Sequence, residues 1–167
     1  MTVKSDSSPE RRPGATKSSD GTGHSDALSW LEGLPTRGLP DALGIHVTEL
    51  TAKRVIATMP VDNRTRQPFG ILHGGASVAL AETVASLGAV MNIDRERSSA
   101  VGVEINANHL RAKSEGTVTA TGVPIHVGQS TQVWEIRITD ESGKMVCISR
   151  CTLAVVPANV GTRQAST

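Results

Sequence analysis

One segment constrains this chain more than any other. Residues 75 to about 91 are apolar nearly all round and form the only long helix candidate. A helix without a broad polar face is covered on most sides, so it belongs inside a domain rather than on its surface. The C-terminal half of the chain supplies the cover. After Asp94-Arg95-Glu96-Arg97 come four strand-like runs, at residues 100–110, 117–126, 131–139 and 145–156. In the third, Trp134, Ile136 and Ile138 alternate with Glu135, Arg137 and Thr139, the period of an antiparallel strand with one face buried. Lys113-Ser114-Glu115-Gly116 and Asp140-Glu141-Ser142-Gly143 both end in Gly and read as tight turns between runs. One buried helix followed by an antiparallel meander predicts an α+β domain in which a curved sheet wraps a central helix. Two shorter strands are expected ahead of the helix, at residues 44–50 and 53–59, followed by a charged loop through residue 70.

The flanks read differently. Residues 1–25 are Ser, Thr, Gly, Pro, Lys and Asp with almost nothing apolar, so burial cannot offset the entropy of ordering them; a disordered tail is expected. The ordered domain is expected over 26–157, with Asp26 capping a short helix through Ala27-Leu28-Ser29-Trp30-Leu31. Pro35 and Pro40 then punctuate a loop, and residues 158–167 form a flexible C-terminal tail. The 167 residues suffice for one domain of this kind.

Charge and composition exclude several classes of partner. Seventeen basic and sixteen acidic side chains give a net charge of +1, which argues against a nucleic-acid or anionic-membrane surface. With two Trp, one Phe and no Tyr, stacking platforms for bases are not expected. No apolar run is long enough to span a bilayer and no charged start precedes an apolar signal region, so a cytoplasmic protein is expected. Cys147 and Cys151 lie four apart in one strand, about 13 Å, which is beyond disulfide reach; no His stands at ligand spacing for zinc. Both read as thiols in a reducing compartment.

Chemistry concentrates at the entry to the helix. Gln67-Pro68-Phe69-Gly70-Ile71-Leu72-His73-Gly74-Gly75 runs straight into the segment carrying Glu82. His73-Gly74-Gly75 puts glycines where helix N–H groups lack partners and the dipole is positive, so a ligand oxygen can approach closely. Such an entry can hold an oxyanion; it can equally be no more than a tight turn. Glu82 is the one carboxylate on an otherwise apolar helix, with Ser86 one turn later on the same face. It either reaches solvent at the helix edge or acts as a base or nucleophile held among apolar neighbours. Gly74 and Glu82 are eight residues apart, about 12 Å along a helix. Both would have to lie about 3 Å from one reacting carbonyl. A single copy cannot easily supply both, whereas two antiparallel copies across a two-fold axis can, so the site implies at least a dimer.

The stretch from Gln67 through Ser86 resembles the hotdog-fold thioesterases of the branch that includes Arthrobacter-type 4-hydroxybenzoyl-CoA and 1,4-dihydroxy-2-naphthoyl-CoA thioesterases. The likeness continues through Val101-Gly102-Val103-Glu104-Ile105-Asn106-Ala107-Asn108-His109 and Ile125-His126-Val127-Gly128-Gln129-Ser130-Thr131, and runs on to Val156. The resemblance implies a hotdog fold, a homo-oligomer of dimers with shared sites paired into a tetramer, and hydrolysis of aromatic or arylacyl-CoA with no metal or redox cofactor. Position by position it assigns Glu82 as nucleophile or general base, and the Gly74 N–H as oxyanion donor. Gln67 and His73 would orient the thioester carbonyl, and Ser86 the hydrolytic water. Coenzyme A contacts fall on Gly102, on His109, Leu110, Arg111 and Ala112, and on His126, Val127, Gly128, Gln129, Ser130 and Thr131. Leu110 stands where a close relative carries a second His, and Ala112 where it carries Ser. Arg111 and Lys113 are candidates to neutralise phosphates, and residues 91–97 are expected to shape the acyl pocket. The resemblance leaves two rivals. One is a hotdog hydratase or dehydratase, which the position of Glu82 after His-Gly-Gly disfavours. The other is a non-catalytic acyl-CoA-binding protein, for which the short polar N-terminal tail offers no output module.

Overall fold

The computed structural model describes residues 22–34 and 38–158. Of the tails expected at 1–25 and 158–167, residues 1–21 and 159–167 lie outside the described residues, whereas residues 22–25, expected to belong to the N-terminal tail, form the start of the first helix. The elements in order are α1 (Thr22–Glu32), α2 (Leu39–Leu43), β1 (His46–Leu50), β2 (Val55–Pro60), α3 (Gly74–Val90), β3 (Ser98–His109), β4 (Thr117–Val127), β5 (Thr131–Thr139) and β6 (Met145–Pro157). The long helix and all six strands therefore stand within about two residues of the positions the patterning predicts.

Two helical details differ. The first helix begins at Thr22, so Asp26 lies inside it and is not its cap. Where the prolines suggested only loop, Pro40 occupies the first turn of α2, a position that needs no N–H donor and suits its fixed φ.

The six strands form one antiparallel sheet in the order β1-β2-β4-β5-β6-β3. This corrects the expected meander. Only β4, β5 and β6 follow one another; β3 pairs with β6 at the far edge. Lys113-Ser114-Glu115-Gly116 is consequently part of a crossover from β3 to β4 and not a hairpin turn. It has to pass three strand spacings, about 14 Å, which seven extended residues reach easily. Asp140 to Gly143 is a true hairpin turn: Asp140 N–H bonds Lys144 O at 2.9 Å and Gly143 takes φ +78°.

α3 lies across the sheet. Ala76, Ser77, Leu80, Ala81, Val84, Ala85, Gly88 and Ala89 are buried, and they meet Val55, Ala57, Met59, Val118, Ala120, Trp134, Ile136, Ile138, Cys151 and Leu153 in one core. The helix is thus buried on its sheet face. Val78, Ala79, Glu82, Thr83, Ser86, Leu87 and Val90 are only half-buried on the other. Cys147 and Cys151 are both free and buried.

Candidate functional site

The entry to α3 is built by hydrogen bonds that leave one donor open. His73 is the N-cap, with extended backbone (ψ 133°), and its Nδ1 accepts from Gly75 N–H at 2.8 Å. Its carbonyl accepts from Ala76 N–H and Ser77 N–H at 3.0 and 3.2 Å. His73 itself is fixed through its N–H to Thr65 O, and Thr65 is a buried anchor whose hydroxyl donates to Pro60 O at 2.7 Å. Three of the four first-turn N–H groups are therefore satisfied by the cap residue itself. Gly74 N–H has no acceptor among the described residues, and it lies where the helix dipole is positive.

Gly74 lines a cavity of about 340 Å³ together with Gln67, Ser77, His109, Leu110, Arg111 and Ala112. His109 crowds the glycine so closely that a Cβ at position 74 would lie 2.8 Å from its Nε2. Gln67 is placed by a backbone turn, with its N–H on Ile71 O and its carbonyl accepting from Gly70 N–H, and its amide side chain is left unbonded at the cavity wall. The His109–Ala112 segment is tied down by Leu110 N–H and Arg111 N–H, which both donate to Val146 O.

The expected phosphate role of Lys113 is not supported. Its ammonium is committed to Glu141, 2.5 Å away on the β5–β6 hairpin, and the same carboxylate accepts from Thr117 N–H. Arg111 is the cation left facing the cavity. Glu141 thus clasps both ends of the second half of the crossover, while Lys113 O accepts from Leu72 N–H beside the helix entry. The Lys113 ammonium, followed by the Thr117 N–H, holds the Glu141 carboxyl down at about 2. A carboxyl depressed in the folded state contributes stability present above its ordinary range near 4.5, and lost as pH falls toward about 2. Glu141→Gln is expected to raise KM several-fold with little change in kcat. It should also flatten the thermal-stability profile of the wild type between pH 4.5 and 2.

Glu82 lies elsewhere. It is half-buried on the outer face of α3, and its side chain makes no hydrogen bond among the described residues. It leans toward β3, where a Cβ at Gly102 would come 2.5 Å from its Oε1; only glycine permits this approach. Burial, reinforced by the Glu82 and Glu104 carboxylates, pushes the Cys151 thiol up to about 11, so it stays protonated and is no competing nucleophile. Ser86 is half-buried one turn on from Glu82, on the same face.

The residues singled out from sequence therefore fall into two groups. Gln67, His73, Gly74 and His109–Ala112 gather at the helix entry. Glu82, Ser86 and Gly102 gather farther along. His126–Thr131 joins the second group: it runs from the end of β4 through the turn to the start of β5, and Thr131 pairs with Ala154, whose other neighbour is Val101, next to Gly102. Gly102 and His109 are seven residues apart on one strand, about 23 Å. One chain does not bring its two groups together.

Comparisons with known proteins agree with this architecture. Residues 69–147 match the thioesterase superfamily. A 1,4-dihydroxy-2-naphthoyl-CoA hydrolase from Listeria monocytogenes is 51% identical over 118 residues, 71% of this chain and 95% of the relative. The chain belongs to the thioesterase superfamily. A proofreading thioesterase of Cronobacter turicensis is 49% identical over 118 residues, covering 71% of this chain and 85% of that one. Among solved structures, a thioesterase of Haemophilus influenzae superimposes with a TM-score of 0.75 at 45% identity, covering 81% of this chain and 94% of the other. The six-stranded antiparallel sheet around α3 is the hotdog fold, and thioester hydrolysis is the reaction class that comes with the family. No helix among the described residues is long and apolar enough to cross a membrane.

Proposed function

We propose that this chain hydrolyses acyl-CoA thioesters, with aromatic or arylacyl groups such as 1,4-dihydroxy-2-naphthoyl or 4-hydroxybenzoyl, to the free acid and CoA. The observation that carries the reading is the open Gly74 N–H at the wall of a cavity, in a helix entry whose other donors are capped. An amide dipole held there can take the charge that develops on a thioester oxygen, without reorganising during the reaction. Gln67 and His73 orient the same carbonyl. Glu82 attacks the carbonyl carbon, or takes a proton from a water that does so, with Ser86 holding the water. The C–S bond breaks, the thiolate leaves and is protonated, and water supplies the oxygen of the acid. A carboxylate and oriented amides suffice for this chemistry, so no metal or redox cofactor takes part. The acyl class is supported by the name of the Listeria relative.

The reading makes the enzyme a homo-oligomer. With Gly74 and Glu82 about 12 Å apart on one helix, the oxyanion donor of one chain works with Glu82 of its partner across a two-fold axis. The free edge of β3, with Val101 and Val103 exposed at 40% and 65%, suits that contact. The exposed strip of Val123, Ile125 and Val127 on β4 suits the pairing of dimers into a tetramer. Arg111 and the His126–Thr131 connection then hold CoA from two chains. The protein acts in the cytoplasm, consistent with two thiols that are free and buried.

The test is CoA release from benzoyl-, dihydroxynaphthoyl- and decanoyl-CoA, alongside hydration of crotonyl-CoA. Release from the aryl thioesters is expected. Hydration without release would select the hydratase alternative. Binding of CoA esters without either reaction would select the non-catalytic one.

A further inference from the structure

A second cavity, of about 580 Å³, lies beneath α1, apart from the cavity at the helix entry. Its apolar lining comes from Leu28, Leu31 and Leu34 on one side, and from Ile45, Val47 and Leu87 on the other. It also includes Thr83, the residue after Glu82. On the helical wheel Thr83 stands 100° round from Glu82, and Ser86 lies between them on the outer face. Ala79 lies in the same sector, so over the helix face the carboxylate is separated from this cavity by the short side chains of Ala79 and Ser86. The residues expected to shape an acyl pocket, 91–97, do not line it.

α1 contributes Leu28, Leu31 and Glu32 to the wall of this cavity. An isolated helix of eleven residues is marginal in water, so α1 depends on its docking. It packs on β1 through half-buried Ala27, Leu28 and Leu31, with the cavity between much of it and α3. Trp30 also packs against the core, and its ring stacks under the Arg95 guanidinium at 4.5 Å, joining α1 to the loop after α3. Glu32, Asp41 and His46 also line the cavity, but its leucine, isoleucine and valine side chains and its size suit a group with the bulk of a bicyclic aryl or medium-length alkyl unit.

We infer that this cavity receives the apolar end of the acyl group, and that α1, latched by Trp30 and Arg95, is the wall that sets its size limit. The inference rests on the thioesterase reading, because the path begins at Glu82. An acetyl group is too short to reach Leu28 and Leu31, so those residues discriminate between long and short thioesters.

The experiment compares kcat/KM for 2-naphthoyl-, decanoyl- and acetyl-CoA in wild type, Leu31→Trp, Leu28→Ala and Trp30→Ala. Leu31→Trp, which fills the cavity, is expected to lower the naphthoyl-to-acetyl ratio about tenfold or more, mainly through KM. Leu28→Ala should shift the optimum toward bulkier groups, and Trp30→Ala should lower the decanoyl-to-acetyl ratio several-fold. Calorimetric titration with free 2-naphthoic acid is run beside the kinetics. Its affinity should fall with Leu31→Trp whether or not the chain hydrolyses anything. If wild type hydrolyses no thioester, the thioesterase reading fails, and the titration alone judges the cavity. Unchanged ratios and unchanged acid affinity in the three variants would overturn the role of α1. So would equal losses on all thioesters, which would mean that α1 only supports the fold.

Discussion

Glu82→Gln is expected to lower kcat for thioester hydrolysis by about 10²–10⁴-fold while leaving KM within a few-fold, since a positioned base or nucleophile contributes about that much and the amide keeps the carboxylate's shape. The substitution keeps the fold because Glu82 is half-buried on the outer face of α3 and its side chain bonds to nothing among the described residues. Gly74→Pro is the matching change on the other half of the site. Proline is tolerated in the first turn of a helix, His73 before it is already extended, and the only backbone group lost is the open N–H. The His109 ring, exposed at the end of β3, has to move aside. Loss of one oxyanion donor is worth about 10²–10³ in kcat. Each variant alone should be nearly inactive. Co-refolded at equal concentrations they should regain activity, because a mixed dimer contains one site built from an intact Gly74 and an intact Glu82. Mixed dimers with no recovered activity would refute a site shared between chains.

That Gly74 and Glu82 of one chain stand too far apart to share a carbonyl is legible from spacing alone, since a separation of eight positions is a fixed length once it is helical. The long helix was equally legible, because a run from Gly74 to Val90 with a single charge is compatible with few surroundings. β5 spans the residues its pattern predicts, because the alternation of Trp134, Ile136 and Ile138 is unbroken. The position of β3 was not legible. A tetrapeptide ending in glycine serves a hairpin and a crossover equally well, and the choice depends on which strand covers β4's other side. Here β2 takes that side, and β3 is left to β6. The partner of Lys113 was hidden for the same reason. Glu141 is 28 residues away and meets it only because the crossover passes the β5–β6 turn. His109 against Gly74, and Gly102 against Glu82, are likewise products of the sheet's curvature over α3 and not of any local pattern.

The largest effect on stability is expected at Trp134. The residue is fully buried on β5, and its ring lies against Gly88 of α3 so closely that any Cβ there would collide with it. Its indole N–H donates to Gln132 Oε1 at 3.1 Å, and the Gln132 amide donates in turn to Ala89 O at 3.2 Å, near the C-terminal end of α3. One ring therefore fills the space between helix and sheet and also orients the side chain that caps a helix carbonyl. Trp134→Ala should cost about 3–5 kcal/mol, as other truncations of large buried aromatics do. The burial of Gln132 adds to the loss, because its amide oxygen is left without a donor. Trp134→Phe keeps much of the volume and loses the N–H, so it should cost less, about 1–3 kcal/mol. Gly88→Ala attacks the same contact from the helix side, and overpacking of this kind costs about 1–3 kcal/mol. Urea unfolding of the three variants should show lower midpoints with unchanged slopes, Trp134→Ala lowest. If Gly88→Ala were neutral, the close approach of α3 to Trp134 would be wrong, and so would the depth at which the helix presents Glu82.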